Sequence, residues 1–402
     1  MKKTKKKKWV RPRHNLITCL AHYVVAPFLR LKYGIRDKRF KDRKRQYFVL
    51  SNHQTGLDQF IVEMVFRKSF YYVASEDIFS KGFVSALLKF ALAPIPIKKQ
   101  AFDIVAVKNI LQVAKEGGSI VMFPEGNRTF SGKTGHFNPT VVGLIKKCKL
   151  PLAIMNITGG YGVQPRWTDK PRKGKIDAFV KRVVEPEEYL NMTDDELYQL
   201  IKDEIYVNEA TDTICYKSNR LAEYLERLVY VCPHCGLATF KSAGNTLTCQ
   251  KCGFSVGYAE NKTFYPIRGE MPFKYVNDWY AYQEDFVSKL DLSTFYKTPA
   301  YVDNASFWLN IPYKKKNLLS KNAKISLYGD KILVQDDNFT CELLFDDISV
   351  ATVLGRNKLN IYYKDDVYQI KGSKSFNPIK YMHFYYHYQN LQKGVENEFF
   401  GI

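Results

Sequence analysis

Short unbroken apolar runs alternate with stretches of helical spacing through the first 160 residues. Gln46 to Ser51 (Gln-Tyr-Phe-Val-Leu-Ser) predicts a buried strand, followed by a polar turn and a helix from about Leu57 to Arg67. Phe70 to Ser75 predicts a second strand, and Asp103 to Lys115 a helix ended by Gly117-Gly118. Ser119 to Phe123 predicts a third strand running into Pro124, and Leu152 to Ile157 a fourth. Strands alternating with helices imply an α/β layer structure with ligands at the strand ends.

The pattern then changes. Glu185 to Leu228 is charged and reads as helical, residues 230–257 are a compact cysteine unit, and residues 262–320 are rich in Tyr, Phe and Trp, with one helix expected over Val276 to Leu290. From Lys324 the runs are short and alternating: Ile325 to Tyr328, Lys331 to Gln335, Phe339 to Phe345, Ile348 to Leu354, Leu359 to Lys364 and Val367 to Lys371. Turn signals at Gly329-Asp330, Gly355-Arg-Asn357 and Asp365-Asp366 separate them, and a helix from Pro378 to Leu391 closes the chain. Hairpins followed by one helix resemble a pleckstrin-homology-like module.

Two apolar windows near the amino terminus bear on membranes. Leu16, Ile17, Leu20, Val24, Phe28 and Leu31 follow helical spacing up to Tyr33, with Pro27 inside; Phe83 to Ile97 is apolar apart from Lys89. Neither reaches the roughly 18 to 20 uncharged residues that a spanning helix needs. They suit insertion into one leaflet, or burial as core helices.

With 402 residues, two or three structural units are expected. The net charge of +21 is concentrated: residues 1–50 hold 17 Lys or Arg against Asp37 and Asp42. Such an arm suits an anionic membrane surface or nucleic acid, or serves only solubility. The run from Met1 to Trp9 resembles the charged part of a signal peptide, but no uninterrupted apolar stretch or cleavage site follows, so secretion is not expected. Four cysteines lie in Cys-x-x-Cys pairs, while Cys19, Cys148, Cys215 and Cys341 are scattered, which suits a reducing, cytosolic compartment.

Asn52-His53-Gln54-Thr55-Gly56-Leu57-Asp58 places a histidine at a strand end and a carboxylate in the first turn of the next helix. On a continuous helix the two would not face each other. A turn through Gly56 lets Asp58 hold Nδ1, leaving Nε2 as a base toward a substrate hydroxyl. Some 70 residues on, Phe123-Pro124-Glu125-Gly126-Asn127-Arg128-Thr129 offers a flexible Gly, backbone N–H groups and an Arg fork suited to a phosphate.

With both blocks in this order, the first 190 or so residues resemble the lysophosphatidic acid and glycerolphosphate acyltransferase family, whose signatures are Asn-His-x4-Asp and Phe-Pro-Glu-Gly-Thr-Arg-Ser. The resemblance implies an α/β acyltransferase domain, a mixed sheet flanked by helices. His53 would be the general base and Asp58 its partner. Glu125, Gly126, Asn127 and Arg128 would contact the acceptor, and Lys99, beside Lys98, would stand where the family has an Arg. The family's proline-containing strand, thought to line the acyl pocket, matches Leu150-Pro151-Leu152. The departures are Asn127 for Thr, Thr129 for Ser, and Thr140 where a Gly usually follows.

Cys232-Pro-His-Cys235-Gly236 and Cys249-Gln-Lys-Cys252-Gly253 are two knuckles spaced as in a zinc ribbon, giving four thiolates for one structural Zn²⁺, with His234 a bystander. An iron centre or redox pair would use the same residues.

The expected organisation is a basic arm and amphipathic membrane helix (1–45), an acyltransferase domain (46–228), a small zinc ribbon (229–258), an aromatic-rich connector (259–320), and a β-rich pleckstrin-homology-like domain with a closing helix (321–402). The expected function is transfer of a fatty acyl group from acyl-CoA or acyl carrier protein to a lysophospholipid-type acceptor, lysophosphatidic acid first. It would act at the cytoplasmic face of the membrane, as a peripheral or monotopic enzyme. The alternative is a nucleic-acid-binding zinc-ribbon protein with a degenerate acyltransferase domain. Residues 230–257 lack the basic and aromatic stripe such binding needs.

Overall fold

The computed structural model of the chain describes residues 8–75, 79, 83–97, 103–310 and 316–395. The chain divides into two units. The first takes residues up to 129, 134–163 and 174–208, the second 130–133, 164–173 and everything from 209.

The first unit runs α1 (Pro12–Tyr33), β1 (Ile35–Asp37), β2 (Phe48–Ser51), α2 (Asp58–Phe66), β3 (Tyr71–Ser75), α3 (Phe83–Ala91), β4 (Ile95–Ile97), α4 (Ile104–Lys115), β5 (Ile120–Met122), α5 (Thr140–Cys148), β6 (Leu152–Thr158), α6 (Gly160–Val163), β7 (Ile176–Val184), α7 (Pro186–Tyr189) and α8 (Asp194–Ile205). Its strands form one mixed sheet in the order β1-β7-β6-β2-β5-β3-β4, parallel throughout except between β6 and β7. Phe48, Val49 and Leu50, Ile120 and Val121, and Leu152 to Met155 are fully buried. A parallel strand covered on both faces has no polar side, which is why these three strands read as unbroken apolar runs. β2 and β5 pair with Leu50 opposite Met122, so their carboxyl ends lie side by side.

Five elements of this unit, β1, β4, α5, α6 and β7, are absent from the sequence reading. β7 carries Asp177, Lys181 and Arg182 and pairs with β6 and β1, so tertiary pairing rather than its own composition makes it a strand. The expected helical stretch Glu185 to Leu228 is also corrected. Pro186 opens α7, and a Thr193–Glu196 capping box starts α8, which stops at Ile205. Beyond it Asp and Ser side chains bond nearby backbone, as in Ile214 N–H to Asp212 at 3.0 Å and Arg220 N–H to Ser218 at 3.1 Å. Such local bonds compete with a helix. Leu150 and Leu152 sit in the core, with Leu152 opposite Phe48, at the far end of β2 from His53.

The second unit holds β8 (Val231–Cys232), β9 (Gly236–Leu237), β10 (Phe240–Ala243), β11 (Thr246–Cys249), β12 (Ser255–Tyr258), β13 (Phe264–Arg268), α9 (Val276–Ser288), β14 (Tyr301–Asn310), β15 (Asn317–Leu327), β16 (Lys331–Asp336), β17 (Phe339–Leu344), β18 (Ile348–Leu354), β19 (Lys358–Tyr363), β20 (Asp366–Gly372) and α10 (Ile379–Lys393). β8 and β9 pair alone, and β10 to β13 form an antiparallel sheet. A second antiparallel sheet has the order β17-β16-β15-β14-β20-β19-β18. The stretch expected as a connector thus supplies β13 to the sheet of the cysteine unit and β14 to the centre of the C-terminal sheet. The closing helix α10 is pinned to β18, with Tyr385 and Tyr386 hydroxyls donating to the carbonyls of Ile348 (2.7 Å) and Ala351 (3.0 Å).

Candidate active site and cysteine cluster

β2 ends at Ser51, and the next seven residues turn sharply before α2 begins at Asp58. The turn brings the expected pair together: His53 Nδ1 lies 2.7 Å from Asp58 Oδ2. The Asp58 carboxylate is fully buried and also accepts the backbone N–H groups of Gln54 (2.6 Å) and Thr55 (3.0 Å) and the Thr55 hydroxyl (2.6 Å). Those donors and its place in the first turn of α2 stabilise the negative charge. A carboxylate only accepts, so Nδ1 carries the proton and Nε2 the lone pair. The imidazole keeps 20 % of its side-chain surface exposed.

The residues flanking His53 lock the turn to the next strand. The Asn52 side-chain amide donates to the Ile157 carbonyl and accepts the Ile157 N–H, both at 2.8 Å, clasping β6. The Gln54 side-chain oxygen accepts the Tyr161 N–H at 2.7 Å. Neither contact is visible in the sequence, because a side chain bonding to distant backbone leaves no spacing signal.

The second block leaves the end of β5 directly beside this turn. Phe123 stacks on the His53 ring with centroids 4.5 Å apart. Glu125 is buried, with one carboxylate oxygen 2.7 Å from the His53 N–H and the other 2.7 Å from the Gly135 N–H. Burial pushes its carboxyl up to about 8, against the pull of those two N–H bonds and with a further rise from Asp58. Gly126 turns the loop at φ +66°, a left-handed conformation that favours glycine, and Thr129 N–H donates to the His53 carbonyl at 2.9 Å. Arg128 is half-buried, and its Nη1 lies 3.8 Å from where a Cβ on Gly56 would stand, so the guanidinium borders the catalytic turn. Asn127 is half-buried between them. Lys98 and Lys99 lie outside the described residues.

In the second unit, the sulfurs of Cys232, Cys235, Cys249 and Cys252 all lie within 4.8 Å of one another. The Cys232–Cys252 and Cys235–Cys249 sulfurs are each 3.7 Å apart. That is far beyond a disulfide's roughly 2.05 Å and matches the roughly 3.8 Å edge of a tetrahedron with Zn–S near 2.3 Å. The donor set therefore fits one zinc ion. His234 hydrogen-bonds the Glu270 carbonyl through Nε2 at 2.7 Å, outside the set.

The outer face of α1 presents Leu16, Leu20, Tyr23, Val24, Phe28 and Leu31, each more than half exposed, while His14, Thr18, Ala26 and Leu29 face inward. Leu87 and Phe90 of α3 are exposed as well, and the Arg13 guanidinium packs 4.2 Å over the Phe90 ring. Among the described residues no helix is long and apolar enough to cross a membrane.

The family model described as Acyltransferase matches residues 32–158, which contain both blocks. 1-acyl-sn-glycerol-3-phosphate acyltransferase LPAT1, chloroplastic, from Arabidopsis thaliana is 24 % identical over 155 residues, covering 38 % of this chain and 43 % of that protein. 1-acyl-sn-glycerol-3-phosphate acyltransferase BAT2, chloroplastic, from Brassica napus is 23 % identical over 117 residues, covering 29 % of this chain and 34 % of that protein. The chain spans less than half the length of these curated relatives. Among solved structures, the 1-acyl-sn-glycerophosphate (LPA) acyltransferase PlsC from Thermotoga maritima aligns with a TM-score of 0.36 and 20 % identity, over 48 % of this chain and 92 % of that one.

Proposed function

We propose that the chain, whose residues 32–158 match the family model described as Acyltransferase, transfers a fatty acyl group from acyl-CoA or acyl carrier protein to a hydroxyl of a lysophospholipid-type acceptor, lysophosphatidic acid first. The observation that carries this reading is the His53–Asp58 pair, held at 2.7 Å at the carboxyl end of the central strand. His53 Nε2 takes the hydroxyl proton as the acceptor oxygen attacks the thioester carbonyl. The C–O bond forms, the C–S bond breaks as the tetrahedral intermediate collapses, and the proton passes from the imidazolium to the departing thiolate. Asp58 keeps Nδ1 protonated and stabilises the imidazolium. Arg128 is the proposed contact for the acceptor phosphate, a role its position beside Gly56 supports, with Gly126 and Asn127 in the same loop. Lys99 is a further proposed contact, on the family resemblance alone.

The exposed apolar face of α1, with Leu87 and Phe90, supports docking of this unit into one leaflet of an anionic membrane. Four cysteines grouped as one thiolate set support the cytoplasmic face as the side of that docking. The four-cysteine cluster supports one structural zinc, and the seven-stranded sheet with its closing helix supports the pleckstrin-homology-like reading.

The test is turnover of lysophosphatidic acid with labelled acyl-CoA and acyl carrier protein. Wild-type chain is expected to form phosphatidic acid, and His53→Ala to lose it while remaining folded. Undiminished turnover in that variant would end the mechanism. Leu20→Glu with Val24→Glu should cut pelleting with anionic liposomes several-fold, and unchanged pelleting would remove the docking face.

A further inference from the structure

Resting on the reading above, we infer that Glu125 is a positioning residue that fixes the backbone of His53, and not a contact to the acceptor. Its two carboxylate oxygens are divided between two backbone donors, His53 N–H and Gly135 N–H, each at 2.7 Å. Two N–H bonds of this length tie both oxygens of one side chain to two separate peptides. The same loop reaches the other side of the His53 peptide, where Thr129 N–H meets the His53 carbonyl at 2.9 Å. Phe123, two residues before Glu125, lies flat against the imidazole.

One loop therefore grips His53 at its N–H, its carbonyl and its ring, while Asp58 holds Nδ1. With main chain and Nδ1 both anchored, the direction of Nε2 is set before any substrate arrives. That is the preorganisation proton transfer needs, and a displacement of about 1 Å can cost 10²-fold in rate. Glu125 itself is 8 % exposed, behind the histidine, whereas Arg128 in the same loop borders the catalytic turn. The loop thus divides its labour: Phe123, Glu125 and Thr129 position the base, and Arg128 receives the acceptor.

Steady-state kinetics with lysophosphatidic acid varied at saturating acyl-CoA separate the two roles. In Glu125→Gln the side-chain NH2 opposes one of the two backbone N–H donors. The kcat is expected to fall about 10²-fold while KM for the acceptor stays within about twofold, because its contacts are untouched. Arg128→Ala should show the reverse emphasis, a KM raised about tenfold or more. A Glu125→Gln variant with kcat near wild type and a raised acceptor KM would overturn the inference and return Glu125 to the acceptor site. If circular dichroism shows that Glu125→Gln does not fold, Glu125→Asp decides by the same criteria, since it keeps the carboxyl but reaches at most one donor. Failure of the acyltransferase reading would appear separately, as absence of turnover in wild type with every acceptor tried.

Discussion

At the residue scale, Asp58 has among the described residues no cationic partner other than an imidazolium at His53, and four donors converge on its carboxylate. Asp58→Asn replaces one acceptor oxygen with an NH2 group. At Oδ2 that group opposes Nδ1 of His53 together with the Gln54 and Thr55 N–H groups, and at Oδ1 it meets the Thr55 N–H and hydroxyl. Facing Nδ1, it forces the histidine into the tautomer that places the proton on Nε2, where it cannot act as a base. The kcat is therefore expected to fall on the order of 10⁴-fold with acceptor KM little changed, read from initial rates against wild type. A loss under tenfold would mean that Asp58 only caps the turn. This pair was legible in the sequence because its chemistry needs two residue types at one spacing. The grip of Glu125, Thr129 and Asn52 was not legible, because each of them bonds to main-chain atoms that every residue possesses.

At the element scale, α2 links this turn to the inner face of α1. Glu63, five residues beyond Asp58, is buried on α2, with Thr18 and His22 of α1 lining the same small cavity. Its Oε1 has no hydrogen-bond partner among the described residues, and burial pushes its carboxyl up to about 8. The unfolded chain releases this proton near pH 4.3, whereas the folded protein holds it until about pH 8. The protonated carboxyl's contribution is thus complete below the unfolded value and is lost progressively as pH rises toward the folded one. Within that window the loss is about 1.4 kcal/mol per pH unit. Glu63→Gln, which cannot ionise, should match wild type in unfolding midpoint near pH 4 and exceed it increasingly up to about pH 8, then run parallel. Denaturant titrations at several pH values measure the difference, and parallel curves throughout would show that Glu63 ionises freely in the fold. Elements with their own periodicity, such as β2, β5, α4 and the C-terminal hairpins, were legible in the sequence. β7 and β14 were not, since Asp177, Lys181 and Arg182 in one and Asp303 and Asn304 in the other interrupt the apolar pattern until partner strands are present.

At the scale of the whole molecule, the division into two units cuts across the chain in a way no linear boundary can express. Residues 130–133 and 164–173 belong to the second unit although elements of the first lie between them. Arg166 shows why: its buried guanidinium donates to the carbonyls of Val353 (2.9 Å) and Gly355 (3.0 Å) and packs 3.7 Å over Phe130, all within the second unit. That unit has a large core of its own beside the cysteine cluster. Trp279 is fully buried, donates its indole N–H to the Val231 carbonyl at 2.8 Å, and meets Phe240, Phe254 and Phe264 with centroids 5.4 to 6.1 Å away. β8, β10 and β11 carry these aromatics or the cysteines themselves, so metal and core share a scaffold. Zinc removal should therefore loosen the unit locally without the complete unfolding seen in isolated zinc fingers, whose folding energy comes from the metal. Full-length protein prepared without chelator is expected to carry one zinc per chain by elemental analysis. A strong chelator, or Cys232→Ser, should lower the unfolding midpoint and shift tryptophan emission to longer wavelength, while far-UV circular dichroism stays mostly intact. The emission shift should disappear in Trp279→Phe, because Trp279 sits against the strands that hold the cluster. Protein with no zinc and an unchanged emission spectrum after chelation would remove the metal from the second unit and leave its aromatic core as the sole support of these strands.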